Sequence, residues 1–425
     1  MCAEGETGLP DNDDTTLKRT RVPLFALMAA NGVSMTGNVL AMIAVPWFVL
    51  QTTGSASLTG LTATFTALPA IIAAFFGGTL VDRAGFRRMS VISDVMSGVT
   101  VALIPLLYHL LGSGFAFWQL PVLVFLGALL DAPGGTARLS LLPDVARLAG
   151  MRLERVNSAA QAIQRGSNLL GAPLAGFLIA LMGADRVLWL DAASFAVSAL
   201  MVAALVPSHA ALELKGQEKQ SRYLEDLKEG LRFIRRDPLI FAVVSTVMIT
   251  NFLDAPLFAV IMPVYVSRVF GSAVNLGLII AGFGAGAMLG TIIFGAIGHR
   301  LPRRITFALS FIIVGLQFFF LALLPPIGFI IAAFALLGLA SGPLNPIIMT
   351  VMQERVPAEM RGRVFGTMTA GAYLAVPLGM LLAGYMVEWK GVRTTLLIQA
   401  GIYLVITLSL LVNPGLREMD KNSLQ

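Results

Sequence analysis

Four carboxylates stand in otherwise apolar stretches of this chain: Asp94, Asp131, Asp191 and Asp254. A charge in such surroundings is costly, so each is either tied to a structural partner or does chemistry. The chemistry open to an isolated carboxylate is to take up and release a proton. Arg138 follows Asp131 by seven residues, nearly the same helix face and ~10 Å further along the axis. The two could compete for one partner or share a water chain. Asn31, Asn38, Asn251 and Asn345 add amides to equally apolar segments. Other reactive side chains are scarce: the histidines His109, His209 and His299 are dispersed, and the only cysteine is Cys2. No nucleophile–base pair, thiolate cluster or metal-ligand spacing arises from them, so an enzyme is not expected. No phosphate-binding loop with its lysine is present, so neither ATP nor a bound cofactor is expected.

The elements that carry these residues must be membrane spans. Of 425 residues 56% are hydrophobic and 13% charged, against roughly a quarter charged in a soluble domain, too little to cover a wetted surface. Apolar segments fall near residues 23–50, 57–81, 89–111, 118–142, 157–182, 187–206, 239–268, 276–298, 305–324, 327–350, 364–387 and 394–413. Each matches the about 20 residues that cross a core of ~30 Å. The expected fold is an all-α integral membrane protein with twelve transmembrane helices, referred to below as spans 1 to 12.

With the N-terminus in the cytoplasm, 24 of the 30 Lys and Arg fall in cytoplasmic loops and tails. Arg186, Arg268, Lys390 and Arg393 fall on the outer side, and Arg138 and Arg165 lie within or at the edge of spans 4 and 5. This asymmetry predicts that both termini are cytoplasmic, and it explains the net charge of +6 without nucleic acid. Trp47, Trp118, Trp189 and Trp389 all fall toward outer span ends, where indoles prefer the interface. The predicted organisation is a cytoplasmic tail at 1–21, a six-span half at 22–206, a linker at 207–238, a second six-span half at 239–413 and a tail at 414–425. Within the linker, Ser221 to Arg236 has Leu224, Leu227, Leu231 and Ile234 along one face, an amphipathic helix expected on the membrane surface.

The halves are repeats. At a shift of 217 residues Pro46 meets Pro263, Gly54-Ser55-Ala56 meets Gly271-Ser272-Ala273, Gly78 meets Gly295 and Arg83 meets Arg300. At 208, Arg155 meets Arg363, Gly171 meets Gly379, Gly176 meets Gly384 and Gly183 meets Gly391. Six spans per half make the repeat parallel, related by an axis along the membrane normal.

Between spans 2 and 3 stands Gly77-Gly78-Thr79-Leu80-Val81-Asp82-Arg83-Ala84-Gly85-Phe86-Arg87-Arg88. It resembles the signature loop of the major facilitator superfamily. Its glycines allow a tight turn, and its acid beside arginines is suited to lock and unlock a cytoplasmic contact, so Gly78, Asp82, Arg83, Gly85, Arg87 and Arg88 are the expected gating loop. In the second copy His299 replaces the acid and Pro302 lies near the second glycine, which predicts an asymmetric lock. Three further stretches are similar to the drug-exporter branch that includes macrolide efflux proteins and the enterobactin exporter. They are Thr53-Gly54-Ser55-Ala56, Leu227 to Ile234, and Val356-Pro357 to Val364. In span 5, Gly166, Gly171, Pro173 and Gly176 are similar to the antiporter motif of proton-coupled exporters, although Ala172 and Ala175 depart from it. Gly282, Gly284, Gly286 and Gly290 in span 8 are packing glycines at four-residue spacing rather than a nucleotide loop.

The resemblance implies that spans 1, 4, 7 and 10 line a cavity and that 3, 6, 9 and 12 lie outside it, which favours Asp131 and Asp254 over Asp94 and Asp191. Asp131-Ala132-Pro133-Gly134-Gly135 and Ser341-Gly342-Pro343-Leu344-Asn345-Pro346 are expected to interrupt spans 4 and 10, and such paired breaks point to a substrate site or to kinks that shape the helices for gating. Arg138, Asn31, Asn38, Asn251 and Asn345 complete the expected polar anchors of a mainly apolar cavity, suited to an amphipathic organic molecule. The expected mechanism is proton antiport by a monomer in a bacterial-type cytoplasmic membrane, with Asp131 first and Asp254 second as the proton-carrying acid. Its partners are a small-molecule substrate, protons and the bilayer. Uptake, facilitated diffusion and lipid transport are the rival transport readings, and a non-transporting receptor lies outside that class.

Overall fold

The computed structural model describes residues 20–112, 116–207 and 223–420, and every regular element among them is helical. The first six spans are α1 (Val22–Thr53), α2 (Ala56–Ala84), α3 (Phe86–Leu111), α4 (Gln119–Leu148), α5 (Leu153–Met182) and α6 (Ala184–Leu205). A short helix, α7 (Tyr223–Arg236), precedes the second set. Span 7 is α8 (Pro238–Pro256), a π-helical turn (Leu257–Ile261) and α9 (Met262–Val269). Span 8 is α10 (Ala273–Ile297) and span 9 is α11 (Arg303–Ala322). Span 10 is α12 (Ile327–Ser341) with α13 (Leu344–Arg355). The last two spans are α14 (Arg361–Leu374) and α15 (Val376–Val412). Eleven helical stretches are long and apolar enough to cross a membrane, and the last, Ala358–Val412, has 55 residues and doubles back at Gly391. With that bend the spans number twelve among the described residues, the start of α1 and the end of α15 share one end of the bundle, and the four tryptophans mark the other.

The local chemistry of the breaks explains where helices stop. Gly183 (φ 91°, ψ 156°) and Gly391 (φ 78°, ψ 164°) occupy a backbone region essentially reserved for glycine, and they turn span 5 into 6 and span 11 into 12. α8 begins at an Asp-Pro cap, where the Asp237 carboxylate accepts from the amides of Leu239 at 2.9 Å and Ile240 at 3.0 Å. Span 10 breaks at Gly342-Pro343 as expected from its residues. α4, by contrast, runs unbroken through Pro133, against the interruption expected there. Gly134 instead lets α3 come close: a methyl built on it would lie 2.7 Å from Ser93 Cβ. Span 7 holds an interruption not foreseen from sequence, the π-turn that follows Pro256.

α1 packs on α5 and α6, α3 on α4 and α6, and α2 on α4. In the second set α10 packs on α12 and α11 on α15. Methyls built on Gly286 and Gly290 would stand 1.9 and 2.1 Å from the carbonyl oxygens of Ala335 and Leu339, the close backbone approach expected of packing glycines. The broad contacts between the two sets are α5 with α10 and α2 with α15. α7 does not simply lie on a surface. Ile234 is buried, and a Glu229–Arg363 ion pair and the approach of Gly230 to Thr367 dock α7 on α14.

Candidate functional site: a central cavity with a carboxylate wall

A cavity of about 1340 Å³ lies between the two sets of spans. Its surface is mainly aliphatic, aromatic and methionine side chains. Thr59, Thr62 and Thr66 of α2 and Thr291 of α10 also line it, but their hydroxyls donate to the carbonyls of Ser55, Leu58, Thr62 and Ala287, leaving methyl groups for the cavity. The polar groups left to line it are few: Asn38, Asp131, Arg165, Asn168, Asp191 and Asn345.

Behind this wall α1, α3, α4 and α6 share a buried polar network centred on Arg138. Arg138 Nη1 pairs with Asp94 Oδ1 at 2.6 Å, and Ser198 donates to Asp94 Oδ2 at 2.6 Å. Arg138 also donates to Ser34 Oγ and to Asn31 Oδ1, each at 3.2 Å. Its distance to Asp131 Oδ1 is 3.8 Å, too long for a hydrogen bond. Asp131 is held instead by Asn38, whose Nδ2 donates to Oδ2 at 2.9 Å. Competition for Arg138 is thus won by Asp94, a structural pair in which both charges are buried and hydrogen-bonded. Asp131 keeps one oxygen without a hydrogen bond and faces the cavity.

Asn38, Asp131 and Asn345 therefore line the cavity, with Asn31 and Arg138 one layer behind. Asp254 and Asn251 are elsewhere, a correction to the expectation that they face it. Asp254 accepts from Gln317 Nε2 at 2.7 Å and Tyr403 Oη at 3.1 Å, between α8, α11 and α15. Asn251 donates to the Ala372 carbonyl at 3.1 Å. These hydrogen bonds tie the two side chains to α11, α14 and α15 instead. Asp191, set aside because span 6 was expected outside, lines the cavity.

α5 carries a stripe that sequence reasoning passed over. Asn157, Gln161, Gln164 and Asn168 follow one another at helical spacing and are exposed, with Arg165 beside them. A polar stripe on a span needs water rather than lipid, so it marks a wetted path from the cavity to the termini end. The tryptophan end is closed. Glu388 of α15 accepts from the backbone amides of Ala56 at 2.7 Å and Ser57 at 3.3 Å, capping α2 from the opposite half. Arg268 lies 3.9 Å from Glu388 and donates to the Gly54 carbonyl at 3.4 Å. The expected antiporter-like segment also serves this closure. Gly171 meets Val39, and Gly176 meets the Ala273 backbone, while Ala172 and Pro173 lie against Gly277; Gly166 is open.

In the expected gating loop, Gly85 (φ 80°) starts α3, Arg88 is exposed and Arg87 donates to the Ala203 carbonyl near the end of α6. In the second half Arg304 donates in the same way to the Leu411 carbonyl at the end of α15. The repeat thus uses one arginine of each copy to satisfy a helix C-terminus, inside its own half. Gly78 and the side chains of Asp82 and Arg83 lie outside the described residues.

Two bundles of six spans around a central cavity sealed at one end define a membrane transporter. A profile of the Major Facilitator Superfamily matches residues 27–271 and 244–423, and the chain belongs to that family. It is 34% identical over 401 residues to the multidrug efflux pump Tap of Mycobacterium tuberculosis, covering 94% of this chain and 95% of that protein. It is 21% identical over 361 residues to macrolide efflux protein A of Streptococcus pyogenes, covering 83% and 86%. Its fold is similar to the nucleoside transporter NupG, with TM-score 0.75, 12% identity and coverage of 92% and 98%. It is also similar to a bacterial homologue of the lysosomal transporter Spinster in an inward-facing, unoccupied conformation, with TM-score 0.66, 13% identity and coverage of 93% and 97%. The chain is a multi-span membrane transporter related to drug exporters, not an enzyme.

Proposed function

We propose that this protein exports amphipathic organic compounds, drug-like or macrolide- or siderophore-like, in exchange for protons by alternating access. The observation that carries this reading is the wide, mainly apolar cavity with Asp131 in its wall, open toward the termini and sealed at the tryptophan end. Positive charge at the termini end supports a cytoplasmic location for both termini in a bacterial cytoplasmic membrane, which makes this state the one that loads substrate from inside. Kinship with efflux pumps supports export over uptake.

In the proposed cycle Asp131 is neutralised by a proton from outside, crosses to the inward-open state, and releases the proton as substrate enters. Asn38 steadies the carboxylate, and Arg138, paired with Asp94, holds α4 against α3. Asp254 has no contact with the substrate path and keeps no part in substrate binding. The cycle needs neither ATP nor a bound cofactor, and one chain suffices.

The test is substrate-driven proton movement in inverted vesicles, with macrolides, other lipophilic drugs and siderophores, for wild type and Asp131→Asn. Proton release that requires both a substrate and Asp131 supports the reading. Undiminished proton-coupled export by Asp131→Asn would sink the assignment of the acid, and movement of substrate without protons would sink antiport.

A further inference from the structure

Asp191 presents a group that neither the fold nor the exchange cycle uses. It is 1% exposed, yet it lines the cavity. Among the described residues its Oδ2 has no hydrogen-bond partner, and its Oδ1 has only Ser194 Oγ at 3.5 Å, a hydroxyl already donated to the Asp191 carbonyl at 2.8 Å. The chain brings this carboxylate to α1 by placing glycine opposite it: a methyl on Gly37 would lie 2.5 Å from Asp191 Oδ1. The next residue, Asn38, holds Asp131, whose Oδ1 is likewise without a hydrogen bond. Asp131 and Asp191 thus meet adjacent residues of α1 and line the same cavity.

The charged groups near this pair are Asp94 and Arg138 behind it and Arg165 of α5 on the cavity wall. Asp94 and Arg138 neutralise each other at 2.6 Å, and Arg165 is an exposed, wetted side chain on α5. The inner wall thus sets three carboxylates, Asp94, Asp131 and Asp191, around one buried cation, Arg138, which lies 2.6 Å from Asp94 and 3.8 Å from Asp131, and leaves Asp191 Oδ2 unpaired. Such a wall is satisfied by protons or by a positively charged ligand. A hard inorganic cation such as Ca²⁺ or Mg²⁺ takes about six or more close oxygen ligands, more than the two acids and neighbouring amides of this mainly apolar wall supply. An organic cation can place its charge at the carboxylates and its apolar body against Phe195, Phe258 and Phe283, whose ring faces also favour positive charge.

We propose that Asp191, together with Asp131, is the substrate-recognition site for an organic cation, and that it gives the transporter its preference for positively charged over neutral lipophilic compounds. This rests on the export reading above and narrows its substrate class. Asp191 acts as the second anchor, so that the cation is held from α6 as well as α4.

The test is equilibrium binding to the purified full chain of tetraphenylphosphonium and of neutral triphenylphosphine oxide, which share three phenyl rings on phosphorus. The readout is the ratio of the two affinities. Wild type is expected to favour the cation, and Asp191→Asn to lower the ratio about tenfold or more, as loss of a charged partner predicts. Asp191→Glu, which keeps the charge, is expected to retain most of the preference. Binding of the neutral compound reports that each variant is folded. A ratio unchanged in Asp191→Asn, or a wild type that does not favour the cation, overturns the proposal. The export reading is judged separately, by substrate-driven proton release with neutral drugs in vesicles. Export of neutral compounds alongside an unchanged ratio would leave export standing and remove the cation site.

Discussion

Replacing Glu388 by alanine is expected to open the tryptophan end. The carboxylate makes two charge-assisted hydrogen bonds to the first amides of α2, at 2.7 and 3.3 Å, and a 3.9 Å ion pair with Arg268. Both side chains of the pair are more than a third exposed, so the pair itself contributes less than about 1 kcal/mol. The short amide bond and the cap it provides contribute about 1–2 kcal/mol more. All of this stabilises only the state in which the two halves touch at that end. Its removal is worth about 2 kcal/mol, or roughly a 30-fold shift toward the state open there. Glu388→Gln keeps an acceptor for the amides and loses only the ion pair, so its shift is expected to be about fivefold or less. The distance between spin labels at Thr53 and the exposed Val269, measured by pulsed electron resonance with Cys2 replaced, separates the two states. A distance distribution in Glu388→Ala identical to wild type, or a larger effect from Gln than from Ala, would refute the reasoning.

Three further outcomes follow from the same geometry. Arg138→Met strands the buried Asp94 carboxylate and is expected to cost about 3–5 kcal/mol, seen as a large fall in melting temperature in detergent, while adding Asp94→Leu restores much of it. Gly391→Ala forces a side chain onto φ 78°, ψ 164° and is expected to cost about 1–3 kcal/mol by the same measurement, whereas Gly362→Ala, with open space and helical backbone, is expected to change it little. Asp254→Asn leaves either Gln317 or Tyr403 facing an amide N–H, so a loss of about 1–3 kcal/mol in stability is expected, with substrate-driven proton release in vesicles retained.

The spans, their alternation and the repeat are legible in the residues because lipid imposes a one-dimensional rule: about 20 apolar residues, flanked by charge. Gly183 and Gly391, matched at a shift of 208 residues, both adopt the positive φ that ends a span, and so the repeat is visible even in the backbone. The polar residues inside the spans were equally visible, and Asp131 and Asn38 could be picked out for their cost alone. Which way each faces was not. In water a helix declares its buried side by an apolar stripe, but in lipid both sides are apolar and the pattern fades. That is why Asp254 and Asp191 change places between expectation and structure. The stripe Asn157, Gln161, Gln164 and Asn168 is the exception that sequence could have supplied, because a wetted face restores the contrast. The partners of Arg138, the π-turn after Pro256, the cap from Glu388 and the approach of Asp191 to Gly37 were decided only by tertiary structure. All but the local π-turn join residues far apart in the chain, and each depends on helix rotation and close backbone packing that span hydropathy does not encode.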